Sequence, residues 1–150
     1  MNISYKIDDK DVKKALERSP TAVITAINYA LRRSAVFTQR CFRKNMPAGA
    51  TGNLRRSVSY KFLSKVSVKI EPELEYADYV EYGTKPHWTS VRNLERWANL
   101  KGINPYALQH SIAKHGTKPH PYLHKTATEA EEFARKELET NVAKTVERTI

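Results

Sequence analysis

Between Pro20 and Asn45 the residues Val23, Ile24, Ile27, Ala30, Leu31, Ala35, Thr38 and Phe42 fall on one stripe at about 100° per residue. A strand turns its side chains to opposite faces at every residue, so a stripe of this length commits the segment to one core helix. Ser19-Pro20 opens it, with Ser at the cap and Pro at the first helical position. A shorter polar helix precedes it over Asp8 to Arg18, with Val12, Ala15 and Leu16 on one side. A third helix is predicted from His124 to Ile150, where Ala127, Ala130, Ala134, Leu138 and Val142 form a narrow stripe and Phe133 sits off it. Small residues in that stripe permit close approach to a partner helix.

The middle of the chain changes period. Val58, Tyr60 and Phe62 alternate with Ser57, Ser59 and Lys61, and Val66, Val68 and Ile70 alternate with Ser67 and Lys69. This pattern predicts two half-buried strands joined through Leu63-Ser64-Lys65 as an antiparallel hairpin. A third strand is expected near Pro121-Tyr122-Leu123. Two short helices are expected between these elements, one around Val91–Leu100 ended by Gly102 and one around Tyr106–Ala113 ended by Gly116. The fold class expected is α+β: a small antiparallel sheet packed against a long helix of the N-terminal half and a long C-terminal helix, with a helical insertion at about 88–115. The 150 residues read as a single domain, because no Ser/Gly-rich or low-complexity run supplies a linker.

Charge is segregated. The net charge is +10, and from Arg32 to Ile70 there are ten Lys or Arg and no Asp or Glu. Arg32, Arg33, Arg40, Arg43, Lys44, Arg55, Arg56, Lys61, Lys65 and Lys69 therefore form a candidate electropositive surface for a protein partner or DNA.

Other chemistries find little support. Apolar stretches fall short of a membrane span and Met1 to Lys6 lacks a signal-peptide core, so an intracellular location without membrane contact is expected. Cys41 is the single cysteine and reads as a buried thiol, since nothing nearby supplies a base. The loop Met46–Asn53 ends in Gly52-Asn53-Leu54, not the Gly-Lys-Ser/Thr of a phosphate cradle. His110/His115 and His115/His120 are five apart, and His120 and His124 have a proline between them, which suits no helical metal site. No Ser/His/Asp set or carboxylate pair emerges, so neither an enzyme nor a cofactor is expected.

The remaining signal is Tyr76-Ala77-Asp78-Tyr79-Val80-Glu81-Tyr82-Gly83-Thr84-Lys85-Pro86-His87, whose tail returns as Gly116-Thr117-Lys118-Pro119-His120. Physically it is an aromatic strand or short helix followed by a turn, and Gly83 and Gly116 read as hinges where the insertion leaves and rejoins the body.

In order along the chain come the basic helix ending near Pro47, Thr51-Gly52-Asn53-Leu54-Arg55-Arg56-Ser57, the strand pair, the Tyr76–Thr84 segment and Pro119-His120-Pro121-Tyr122-Leu123. The ensemble resembles the gene-product-ten-like tail-component family of long-tailed phages and prophages. That family shares a Thr-Gly-Xaa-Leu-Arg-Xaa-Ser strand start, a Tyr-Ala-Xaa-Tyr-Val-Glu-Xaa-Gly-Thr segment and a Pro-Phe-Leu-Xaa-Pro-Ala run. The chain departs from it at Tyr122, where Phe is usual, and at Thr126, where Pro is usual.

The resemblance implies a non-enzymatic virion protein at the head–tail junction or tail-tube end, often a ring of identical subunits. Tyr76, Ala77, Tyr79, Val80, Glu81, Gly83 and Thr84 would then be structural and intersubunit residues. The implied partners are further copies of the chain, neck or tail-tube proteins, and DNA contacted without sequence preference. A competing reading takes residues 91–114 as a DNA-binding helix-turn-helix, with Tyr106, Gln109, His110 and Lys114 on the reading face.

Overall fold

The computed structural model describes residues 2–4 and 10–149. In chain order its elements are β1 (Ile3–Ser4), α1 (Lys10–Arg18), α2 (Pro20–Asn45), α3 (Asn53–Arg56), β2 (Val58–Ser64), β3 (Ser67–Pro72), α4 (Ala77–Tyr82), α5 (Val91–Lys101), α6 (Pro105–His115) and α7 (Leu123–Thr149). The architecture is α+β, with the two long helices packed on each other and on a small sheet. The start of the first helix at Asp8 and the side chains of Val12, Ala15 and Leu16 lie outside the described residues.

Helix α2 buries Val23, Ile27, Ala30, Leu31, Ala35, Thr38 and Phe42, so the stripe is its core face, with Ile24 only half-buried. Two residues outside the stripe, Ser34 and Cys41, are buried as well. Ser34 is tolerated there because its hydroxyl donates to the Ala30 carbonyl at 2.8 Å, and Thr38 does the same to Ser34 at 2.7 Å. Ser19 holds the N-cap position before Pro20, but its hydroxyl makes no capping bond; its carbonyl accepts from Val23 instead.

The partner of the small-residue stripe is α2 itself. Ala130, Ala134 and Val142 of α7 are buried, and contacts from Arg33–Glu137 to Asn45–Thr126 join the two helices, so backbones of ~40 Å run side by side. Phe133 is drawn in too. Its ring stacks on Phe37 with centroids 4.0 Å apart, worth about 1 kcal/mol beyond the area buried.

The sheet order is β1-β3-β2, all antiparallel. The third strand therefore comes from Ile3–Ser4, paired with Ile70 and Lys69, and not from Pro121–Leu123, which is the lead into α7. Sequence pattern misplaced it because two residues carry no alternation to detect. The inner face presents Ile3, Val58, Val68 and Ile70 to α2, whose Phe42 meets Tyr122 edge-on at 6.1 Å. Tyr60 lies on the same side but remains exposed at its edge, against Phe62. The hairpin turn falls at Lys65-Val66, one residue later than the pattern suggests.

Thr51 to Ser57 is a helical turn, not the start of a strand. Gly52 enters it at φ 68°, Leu54 drops into the core, and Ser57 donates back to the Leu54 carbonyl at 2.8 Å. The Arg55 guanidinium reaches the Met46 carbonyl with two bonds, 2.8 and 2.6 Å, at the C-terminus of α2 where a cation is favoured.

Candidate functional site

The Tyr76–Thr84 segment folds as α4 and sits on the N-terminus of α7. A helix begins with amide groups that have no partner inside it. The buried Glu81 carboxylate supplies one: its Oε2 accepts from Tyr122 N at 2.8 Å and Leu123 N at 3.1 Å. The helix dipole favours the negative charge at that end. His120 N donates to the Val80 carbonyl at 2.8 Å, and the Tyr122 hydroxyl donates to the Ala77 carbonyl at 3.1 Å. Tyr122 thus differs from the usual Phe by a hydroxyl that has an acceptor waiting. At Thr126 the hydroxyl donates to the Tyr122 carbonyl and accepts from Asn45, which ties α7 to the end of α2.

The repeated Gly-Thr pairs face each other. Thr84 and Thr117 form an isolated antiparallel bridge, each amide donating to the other's carbonyl at 3.2 Å, with their hydroxyls 3.0 Å apart. Gly83 at φ 73°, ψ −177° and Gly116 at φ 72°, ψ −159° hold the same conformation, one that essentially only glycine adopts. A Cβ on Gly116 would strike the Thr84 carbonyl, and one on Gly83 the Thr117 carbonyl. Beyond the bridge, α5 and α6 pack against each other as a hairpin.

The ten cations of the Arg32–Lys69 stretch serve mostly internal ends. Arg33 pairs with Glu137 at 3.4 Å, Lys44 with Glu129 at 3.7 Å, Lys61 with Glu73 at 3.8 Å and Lys69 with Glu71 at 2.8 Å. Arg43 donates to the Arg55 carbonyl, Arg56 to Thr51 and Asn53, and Arg32 lies over the Phe62 ring. Lys61 and Lys69 are directly opposite on the outer sheet face, a like-charge pair that their glutamates relieve. Arg40 and Lys65 remain exposed. Glu129 faces Lys44 of its own chain and is not free to meet a neighbour's cations.

Cys41 is buried, and burial with the adjacent Glu129 pushes its thiol up to about 11. Burial likewise raises Tyr122 to about 12, with Glu81 adding to it. Both groups hold protons more tightly folded than at their ordinary values of 9.0 and 10.0. Their contribution to stability is complete below those values and is lost as pH rises through about 11 and 12. The denaturation midpoint should therefore fall across this alkaline window, and Tyr122→Phe should flatten the fall above pH 10; an unchanged profile would refute the assignment to Tyr122.

Two of the four residues on the would-be reading face of α6 are engaged locally. Gln109 donates to the Thr89 carbonyl at 2.7 Å, and His110 meets Trp88 edge-on at 5.4 Å. Asn104 caps its own helix at Tyr106 N and Ala107 N, so those amides are taken as well. Among the described residues no His, Cys, Asp and Glu converge to hold a metal, and no helix is long and apolar enough to cross a membrane.

The profile of the family described as "Bacteriophage HK97-gp10, putative tail-component" matches residues 9–83, half of the chain. The chain belongs to this family. The matched span of this HK97-gp10-like protein runs from α1 through α2, the sheet hairpin and α4, and stops at Gly83, just before the Thr84–Thr117 bridge. The family is one of phage tail components, a structural class with its place in the virion. No curated protein matches the chain, and no solved structure does.

Sequence reasoning gave the hallmark residues no individual tasks. The signal for Glu81 was present: a carboxylate in a segment that must meet a helix start lacking its own Ser, Thr, Asp or Asn cap, since Pro121 and Tyr122 precede Leu123.

Proposed function

We propose that this HK97-gp10-like chain completes the tail or joins it to the head, as a ring of identical subunits at the neck or tail-tube end. The supporting observation is a division of labour within the Tyr76–Thr84 segment. Ala77, Glu81, Gly83 and Thr84 are spent on α7 and the Thr84–Thr117 bridge, whereas Tyr76 and Tyr79 point outward, Tyr79 at 62% exposure. Exposed tyrosines on a rigid element are typical anchors of protein contacts. A head-to-tail ring needs a second, different surface on each subunit, and the exposed cations Arg40 and Lys65 are candidates for it.

Native mass measurement at high concentration, with and without tail-tube protein, tests the reading. A discrete closed oligomer is expected, and Tyr79→Ala should weaken its assembly at least ~10-fold while changing monomer stability by less than about 0.5 kcal/mol. A chain that stays monomeric in both mixtures would refute ring assembly.

A further inference from the structure

Thr84 to Lys125 holds a second basic region, with seven Lys or Arg against Glu95 alone. It differs physically from the Arg32–Lys69 stretch. None of the seven has an ion-pair partner among the described residues, whereas Arg33, Lys44, Lys61 and Lys69 all do. On α5, Arg92 and Arg96 are one turn apart and both exposed, and Glu95, which lies between them in sequence, forms an ion pair with neither. Exposed aromatic rings accompany them: Trp88 at 67%, Tyr106 at 66% and Trp97 at 36%.

Unrelieved charge of one sign calls for counter-charge from outside. A second copy of the chain does not provide it, because each copy brings another +10. Five of the seven cations are lysines, which protein interfaces disfavour and phosphate backbones accept. Duplex DNA supplies one negative charge per ~1.7 Å of its axis. We infer that the α5–α6 hairpin and its flanks form a surface that binds the phosphate backbone of duplex DNA. The binding is independent of sequence, because Gln109, Asn104 and His110, the groups suited to reading base edges, are engaged within the hairpin. This deepens the proposed role at the tail end by assigning the DNA contact to the insertion and not to the sheet side of the molecule.

The chain's two tryptophans, Trp88 and Trp97, both lie on this surface, so intrinsic fluorescence reports on it alone. The full chain is titrated with two short duplexes of unrelated sequence over a range of salt, reading anisotropy of labelled DNA and tryptophan emission together. Equal affinities for the two duplexes and a change in emission that tracks anisotropy are expected. Arg92→Ala/Arg96→Ala/Lys114→Ala should lower affinity at least ~10-fold and reduce the salt slope by about 2–3. Arg40→Ala/Lys44→Ala/Lys65→Ala removes the same charge and should cost less than ~3-fold. Circular dichroism checks that both triple variants keep their helix content.

Binding without an emission change, or an equal loss in the second triple variant, would overturn the assignment to the insertion. Displacement of DNA by polyglutamate at equal charge concentration would overturn it in favour of an acidic protein partner. Absence of binding at ~50 mM salt would overturn it outright. The oligomer mass is measured separately, so the ring and the DNA surface fail independently.

Discussion

Gly116→Ala should lower stability by about 3 kcal/mol and reduce the melting temperature by roughly 6–12 °C. Two effects act at once. The backbone at φ 72°, ψ −159° lies where a Cβ is disfavoured on its own. The added methyl also runs into the Thr84 carbonyl and comes within 2.8 Å of the Lys85 carbonyl carbon, and neither is a flexible side chain that can swing away. The strand-like bridge must open to admit it, and both Thr84–Thr117 amide bonds go with it. Gly83→Ala should behave alike, since its Cβ would meet the Thr117 carbonyl and lie 2.9 Å from the Pro119 nitrogen. Gly49→Ala is the control: its φ is also positive at 60°, but nothing lies within 4 Å, so about 1 kcal/mol is expected. Thermal unfolding followed by tryptophan emission checks this, because both tryptophans report on the insertion, alongside circular dichroism, which is dominated by α2 and α7. In Gly116→Ala the emission transition should precede the dichroism transition. If Gly116→Ala costs no more than Gly49→Ala, the bridge does not fasten the insertion.

Glu81→Ala should cost about 3 kcal/mol as well, for a different reason. The substitution deletes the acceptor of two amides at the start of α7, Tyr122 N and Leu123 N, where Tyr122 is fully buried. Buried amides without a partner cost roughly 1–3 kcal/mol each, and the dipole loses its counter-charge. Glu81→Gln keeps an oxygen able to accept both bonds and loses only the charge, so about 1 kcal/mol is expected. Chemical denaturation of the three proteins separates the contributions. Equal losses in the Ala and Gln variants would show that charge alone matters, and no loss in either would show that α7 starts without this cap. Amide exchange at Tyr122 and Leu123 should accelerate in Glu81→Ala before exchange in α2 does.

Much of the fold was legible because its long elements carry long periodic signals. The α2 stripe from Val23 to Phe42 and the Ala130–Val142 stripe of α7 identify two helices that pack against each other. The hairpin of β2 and β3 follows from alternation alone. Short elements gave no such signal. β1 at Ile3–Ser4 exists because β3 offers it an unpaired edge, and α3 exists because Leu54 and Arg55 have a core and a helix end to satisfy. The charge surface was legible only as an inventory. Ten cations between Arg32 and Lys69 are evident in sequence, but that Glu71, Glu73, Glu129 and Glu137 answer four of them depends on distances between elements. The seven cations from Lys85 to Lys125, interleaved with histidines, were equally visible, yet their lack of partners was not.

By itself, then, the sequence determined the α+β class, the two core helices, the strand pair and the family, since all of these rest on periodicity and on residue types in a fixed order. Only the tertiary structure decided what the Tyr76–Thr84 segment is for. A carboxylate caps a helix 41 residues away, and two glycines let threonines 33 residues apart share a bridge. Such partners are chosen by how the chain folds back on itself, and the period of neighbouring residues holds no record of that.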